Sequence, residues 1–127
     1  GGNLTYVGQH VVYVLSPALD YALMEFRVPN DFATLTSVKV IFIADATGTI
    51  DWTVNTTFGA NGELNDANTD SSTADALAVT TQQLKELDIS AAYTNMAAND
   101  IVGTRFTIDV LTTTTVIYFI GLNVKYV

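Results

Sequence analysis

Two stretches near the end of the chain decide its fold: Asp100-Ile101-Val102-Gly103-Thr104-Arg105-Phe106-Thr107-Ile108-Asp109-Val110 and, after threonines 112–115, Val116-Ile117-Tyr118-Phe119-Ile120-Gly121-Leu122-Asn123-Val124-Lys125-Tyr126. In the first, Val102, Phe106, Ile108 and Val110 take one face, broken only at Thr104, while Gly103, Arg105, Thr107 and Asp109 take the other. That period of two marks a half-buried strand. In the second, Val116 to Ile120 is apolar on both faces, so it must be covered on both, by a second layer of its own fold or by another subunit. Ile117 and Phe119 are accordingly expected at an oligomer interface, in the closing pair of strands.

Working back toward the N-terminus, Leu4 to Leu15 reads as a strand interrupted near Gly8 and stopped at Ser16-Pro17, since proline cannot donate to a ladder. Tyr21 to Val28 alternates with Ala22, Met24, Phe26 and Val28 inward, and ends at the turn Pro29-Asn30-Asp31. Leu35 to Ala44 reads as a central strand, joined through Asp45-Ala46-Thr47-Gly48 to the alternating Ile50, Trp52 and Val54 as a hairpin. Gly59 to Ala74, rich in Gly, Asn, Asp, Ser and Thr, reads as a long surface loop. Strands resume at Leu77–Thr81 and Leu84–Ile89, and Ser90 to Asn99 has room for one helical turn. About eight short strands with turn signals between them predict an all-β, antiparallel β-sandwich, jelly-roll-like in type.

The chain has 127 residues, enough for one domain spanning 1–127 with its own core; within it, 1–15 is a candidate N-terminal arm or exchanged strand. Hydrophobic residues make up 49% and charged ones 14%, a β-rich composition with little surface charge. Thirteen acids against five bases give a net charge of −8, which disfavours nucleic acid and anionic membrane as partners. There is no cysteine, hence no thiol nucleophile or thiolate metal site. No uninterrupted apolar run reaches the roughly 18–20 residues of a membrane span, and Gly1-Gly2-Asn3 lacks the basic start of a signal peptide.

Chemistry has little to build with. His10 is the single histidine, and its isolation favours a surface or strand-end role over a triad or metal site. No nucleophile-elbow, phosphate-loop or zinc-helix motif occurs, so no catalysis is expected. The segment Asn61–Asp70 offers Glu63, Asp66 and Asp70 as calcium ligands, although its spacing departs from the EF-hand and a solvated loop explains it equally. Paired carboxylates for glycoside hydrolysis would have to come from these or from Glu86 and Asp88, where a solvated acidic face is the plainer reading. Tyr13, Tyr93, Tyr118 and Trp52 can stack on sugar if exposed, but alternation with Ile50 and Val54 puts Trp52 in the core. Asn3-Leu4-Thr5 and Asn55-Thr56-Thr57 match the N-glycosylation triplet, as Thr-rich chains do by chance.

The succession Phe26-Arg27-Val28-Pro29-Asn30-Asp31-Phe32, Gly48-Thr49-Ile50-Asp51-Trp52, Gly62-Glu63, Asp100-Ile101-Val102-Gly103 and Gly121-Leu122-Asn123-Val124-Lys125-Tyr126 resembles small β-sandwich structural proteins of tailed bacteriophages and environmental viruses. It covers the chain from about Tyr21 onward. The resemblance implies a non-enzymatic virion component on the exterior surface, capsid decoration or head or tail fibre, forming a homo-oligomer, typically a trimer, beside other capsid or tail proteins. The short segment before Tyr21 favours a decoration subunit or tip domain over a free-standing fibre. Two alternatives stand beside this. One is a module binding a host glycan or receptor through the Gly59–Ala74 loop and exposed tyrosines; the other is a subunit of an extracellular filament in which residues 1–15 complete the next copy's sheet.

Overall fold

A computed structural model describes residues 3–16 and 18–127; the readings at Gly1, Gly2 and Pro17 lie outside them. The first strands, β1 (Asn3–Val7) and β2 (His10–Leu15), form a hairpin across Gly8, which takes φ +58°, a conformation that costs glycine little. Then come β3 (Tyr21–Arg27), β4 (Leu35–Ala44), β5 (Gly48–Gly59), β6 (Asn68–Val79) and β7 (Leu84–Asp88). A single 3-10 turn, Ser90–Tyr93, precedes β8 (Ile101–Thr112) and β9 (Ile117–Tyr126).

These strands make two antiparallel sheets, ordered β1-β2-β9-β4-β7 and β3-β8-β5-β6. Without β1, the arrangement β2-β9-β4-β7 over β3-β8-β5-β6 is the winding of a jelly roll, in which the chain passes repeatedly from one sheet to the other. The all-β, antiparallel sandwich expected from the alternation is therefore present. The expected hairpin between Leu35–Ala44 and Ile50–Val54 is not. Strand β4 pairs with β7 and β9 and β5 with β6 and β8, so the turn at Asp45 crosses the core. Both strands carry an apolar face, and each buries it against the other's sheet. The closing strands β8 and β9 are likewise split between the sheets.

The loop expected over Gly59–Ala74 is a loop only across residues 60–67; the rest is strand. Strand β6 begins at Asn68 and pairs with β5 from Phe58↔Asn68 to Gly48↔Val79. Its polar, largely exposed side chains gave no alternation to detect, because an edge strand is held by its backbone ladder rather than by an apolar face. Two bulges also turn faces over. Trp52 pairs with Ile108 and Asp51 with Val110, which leaves Asp109 as the extra residue; Val110 then faces outward and Leu111 packs toward the core, contrary to plain alternation. Likewise Phe42 pairs with Phe119 and Ile41 with Gly121, so Ile120 is the extra residue and Leu122 and Val124 resume the inner face.

The core centres on Phe106, whose ring centroid lies 6.1 Å from Phe42, 5.7 Å from Phe119 and 6.3 Å from Trp52. Ile117 and Phe119 belong to this core and are almost wholly buried within the chain itself. That corrects their assignment to an oligomer interface: one side of the doubly apolar strand is covered by the opposite sheet, and the outward residues are Tyr118 and Ile120, both half-buried.

One carboxylate ties the crossings together. Asp45 Oδ1 accepts hydrogen bonds from Thr114 Oγ1 (2.9 Å) and from the amides of Thr115 (3.0 Å) and Val116 (3.0 Å), while Oδ2 accepts from Thr115 Oγ1 (2.6 Å). The turn between β4 and β5 is thereby fixed to the connection between β8 and β9. Gly48 lets them meet, since a Cβ there would clash with the carbonyl oxygen of Thr112 and lie 2.6 Å from the Thr114 amide nitrogen. Burial pushes the Asp45 carboxyl up, but the donors of Thr115, Val116 and Thr114 outweigh it and hold the group at about 2 rather than 3.8.

A folded-state value below the unfolded one stabilises the fold above about 3.8, and this contribution is lost as pH falls through about 2. Asp45→Asn is expected to cost about 1–2 kcal/mol at neutral pH, allowing for solvent screening, and to flatten the loss of stability between those two values, as read from urea melts across that range. Phe119→Asp is expected to unfold the domain rather than release folded monomers, because a carboxylate would replace a ring in the core. Circular dichroism showing a folded variant would contradict this placement.

Candidate functional site

The sheets differ in width. The first has five strands, and the second, among the described residues, ends at β3. Residues directly opposite in a ladder share a face. Leu15 pairs with Ile117 and Tyr13 with Phe119, which places Val11, Tyr13 and Leu15 on the core side of β2. Tyr6 opposite Val11 and Leu4 opposite Tyr13 extend that side across β1. Only Leu15 of this set is buried. Leu4 is 64%, Tyr6 76%, Val11 69% and Tyr13 41% exposed. The core face of the first sheet thus runs past the edge of the second and stands open, with roughly 500 Å² exposed by these four side chains, toward the top of the range for a monomer's largest apolar patch.

No Asp, Glu, Lys or Arg occurs before Asp20, in a chain with thirteen acids. The overhang is therefore uncharged as well as apolar, His10 being an exposed residue at the start of β2. On the opposite face Val12 and Ile43 are buried, with Tyr118 in register between Val14 and Ile43.

A second feature lies on the outer face of the β3-β8-β5-β6 sheet. Two adjoining depressions of about 370 and 320 Å³ share Glu25, Thr57 and Gly103. Loop residues Asn61 and Leu64 border one, and Leu23, Asn55 and Arg105 the other. Gly103 keeps the floor low, for an added Cβ would stand 3.2 Å from Thr57 Oγ1. Arg105 lies over the Tyr21 ring with Cζ 4.9 Å from its centroid, a cation–π contact that orients the guanidinium. This groove presents hydroxyl and amide groups with the carboxylates of Glu25 and Glu63 and the guanidinium of Arg105, suited to hydrogen bonding a polar ligand.

The expected calcium ligands do not converge. Glu63 Oε1 accepts the Ala60 amide (2.8 Å), and Asp70 Oδ2 accepts the Thr94 hydroxyl (2.6 Å) and amide (3.1 Å); these bonds, the hydroxyl foremost, lower the Asp70 carboxyl. Asp66 is exposed in the loop. Among the described residues no group of three or more His, Asp or Glu is placed to hold a metal. The other acidic pair is divided as well: Glu86 faces Lys39 at 3.6 Å, and Asp88 accepts from the Ser90 hydroxyl at 2.6 Å.

Of the aromatic candidates, Trp52 and Tyr93 are buried, as the alternation around Trp52 implies. Burial pushes the Tyr93 hydroxyl up to about 12, against the opposing effect of its 2.6 Å hydrogen bond with Thr104. Tyr13 is exposed and Tyr118 half-buried. Both glycosylation asparagines, Asn3 and Asn55, are exposed. Sequence reasoning missed Leu4, Tyr6 and Val11 as surface residues, and the grouping of Glu25, Gly103 and Arg105; the charge-free run before Asp20 was the one available signal for the former. None of the described helices is long and apolar enough to cross a membrane.

No protein-family model and no curated protein matches the sequence. One solved structure that aligns with it is TmCBM61 in complex with β-1,4-galactotriose, over 93% of this chain and 70% of that one, at 12% identity and a TM-score of 0.47.

Because the three acidic loop candidates are dispersed or already hydrogen-bonded, millimolar Ca²⁺ is expected to leave the melting temperature unchanged. A rise of several degrees in a thermal-shift assay would restore the loop as a calcium site.

Proposed function

We propose that this chain is a non-enzymatic structural subunit of a virion exterior, a capsid decoration or fibre subunit, which acts by joining copies of itself and neighbouring capsid or tail proteins. The observation that supports assembly is the overhang: Leu4, Tyr6, Val11 and Tyr13 form a charge-free continuation of the core face without a second layer over it. Uncovered apolar area of this size favours association. The virion setting is supported by the sequence resemblance, which also points to a trimer. Light scattering on a sizing column is expected to give one fixed multiple of 13.7 kDa, with and without Ca²⁺. A monomer at every accessible concentration counts against assembly, and absence of the chain from purified source virions counts against the setting.

The groove over Gly103 favours a second reading, a tip module that binds a host glycan through Asn55, Thr57, Glu25 and Arg105. On that reading a glycan panel should contain at least one sugar that raises the melting temperature, and Arg105→Ala should abolish the shift without unfolding the protein, since Arg105 is exposed. A panel with no stabilising sugar removes this reading.

A further inference from the structure

We infer that the overhang is covered by the same overhang of a second copy of this chain, each copy's β1 pairing with the other's open β3 edge, so that two sandwiches share two continuous sheets. This rests on the assembly reading above, names its partner and geometry, and puts a two-fold pair in place of the trimer that the resemblance suggests.

The second sheet lacks a strand over the hairpin. Strand β3 pairs with β8 along one edge, from Tyr21↔Thr107 to Arg27↔Ile101, and its other edge is the end of the sheet. A strand that fills this position needs an open edge of its own, an apolar face toward the exposed Leu4, Tyr6, Val11 and Tyr13, and no charge to desolvate against them. The described end strands differ in these respects. Strand β6 carries Asp70 and Asp75, and β7 carries Lys85, Glu86 and Asp88. Strand β1 (Asn3-Leu4-Thr5-Tyr6-Val7) carries no charge, has Leu4 and Tyr6 on one face, and pairs with β2 alone.

The site and its occupant are thus on the same chain, and the relation is reciprocal. When β1 of one copy lies beside β3 of another, the two apolar hairpin faces meet each other, and the second copy's β1 lies beside the first copy's β3. That is an isologous contact, which closes at two copies and does not propagate into a filament. The four side chains of each copy bring together roughly 1,000 Å² in total, the least that a specific interface needs before backbone pairing is added. The net charge of −8 per chain opposes association, yet the nearest acid in sequence to the hairpin is Asp20, outside it.

The test uses the whole chain. Wild type is expected at twice 13.7 kDa by light scattering, and the double variant Tyr6→Ser, Val11→Ser at the monomer mass with an unchanged circular dichroism spectrum, because both side chains are exposed. In this cysteine-free chain, Val11→Cys should give a disulfide-linked dimer under mild oxidation, in clear excess over an exposed control, Leu84→Cys, on β7 at the opposite edge of the first sheet. A trimer, or any oligomer that survives the double variant, overturns the two-fold hairpin contact and leaves the assembly reading standing. A wild-type monomer overturns both. Equal cross-linking of Val11→Cys and Leu84→Cys also overturns the contact.

Discussion

The structure depends on one layer of side chains between two sheets, with Phe106 at its centre. Phe106 comes from β8 and meets Trp52 of its own sheet as well as Phe42 and Phe119 of the other. Each sheet buries one face only by facing the other, so neither can form alone as a stable unit. The chain alternates between sheets for the same reason. Connections such as that at Asp45 carry it across the core, and the Asp45 carboxylate secures two such crossings with four hydrogen bonds.

What lies beyond that layer sets the chain's behaviour toward other molecules. Where the second sheet stops, the inward face of the first is left without its complement, and side chains that would be core in a wider sandwich become surface. The same physics that buries Phe119 therefore makes Tyr6 and Val11 a surface that association would cover. The acidic residues lie elsewhere, several of them bound to nearby amides or hydroxyls: Glu63 to Ala60, Asp70 to Thr94, Asp88 to Ser90. These carboxylates organise turns and loops.

Much of the fold was legible because alternation survives in strands with one buried face. Ala22, Met24 and Phe26 face inward in β3, as do Val38, Val40 and Phe42 in β4, and Trp52 takes the core position that its neighbours imply. Legibility failed where the face, rather than the strand, depended on a partner. Strand β6 has no apolar period because it is a sheet edge, and Ile117 and Phe119 read as partner-facing because a strand apolar on both sides does not say which side its own fold covers.

The sequence by itself determined an all-β antiparallel sandwich, without thiol chemistry, with one isolated histidine, and with no Asp, Glu, Lys or Arg before Asp20. Those follow from composition and from the period of two, which are local properties. Only the tertiary structure decided which sheet each strand joins, where the bulges at Asp109 and Ile120 turn the faces over, and that the N-terminal hairpin extends beyond its covering sheet. Alternation reports that a side chain has a side, whereas the partner strand across a ladder or across the core decides whether that side is filled.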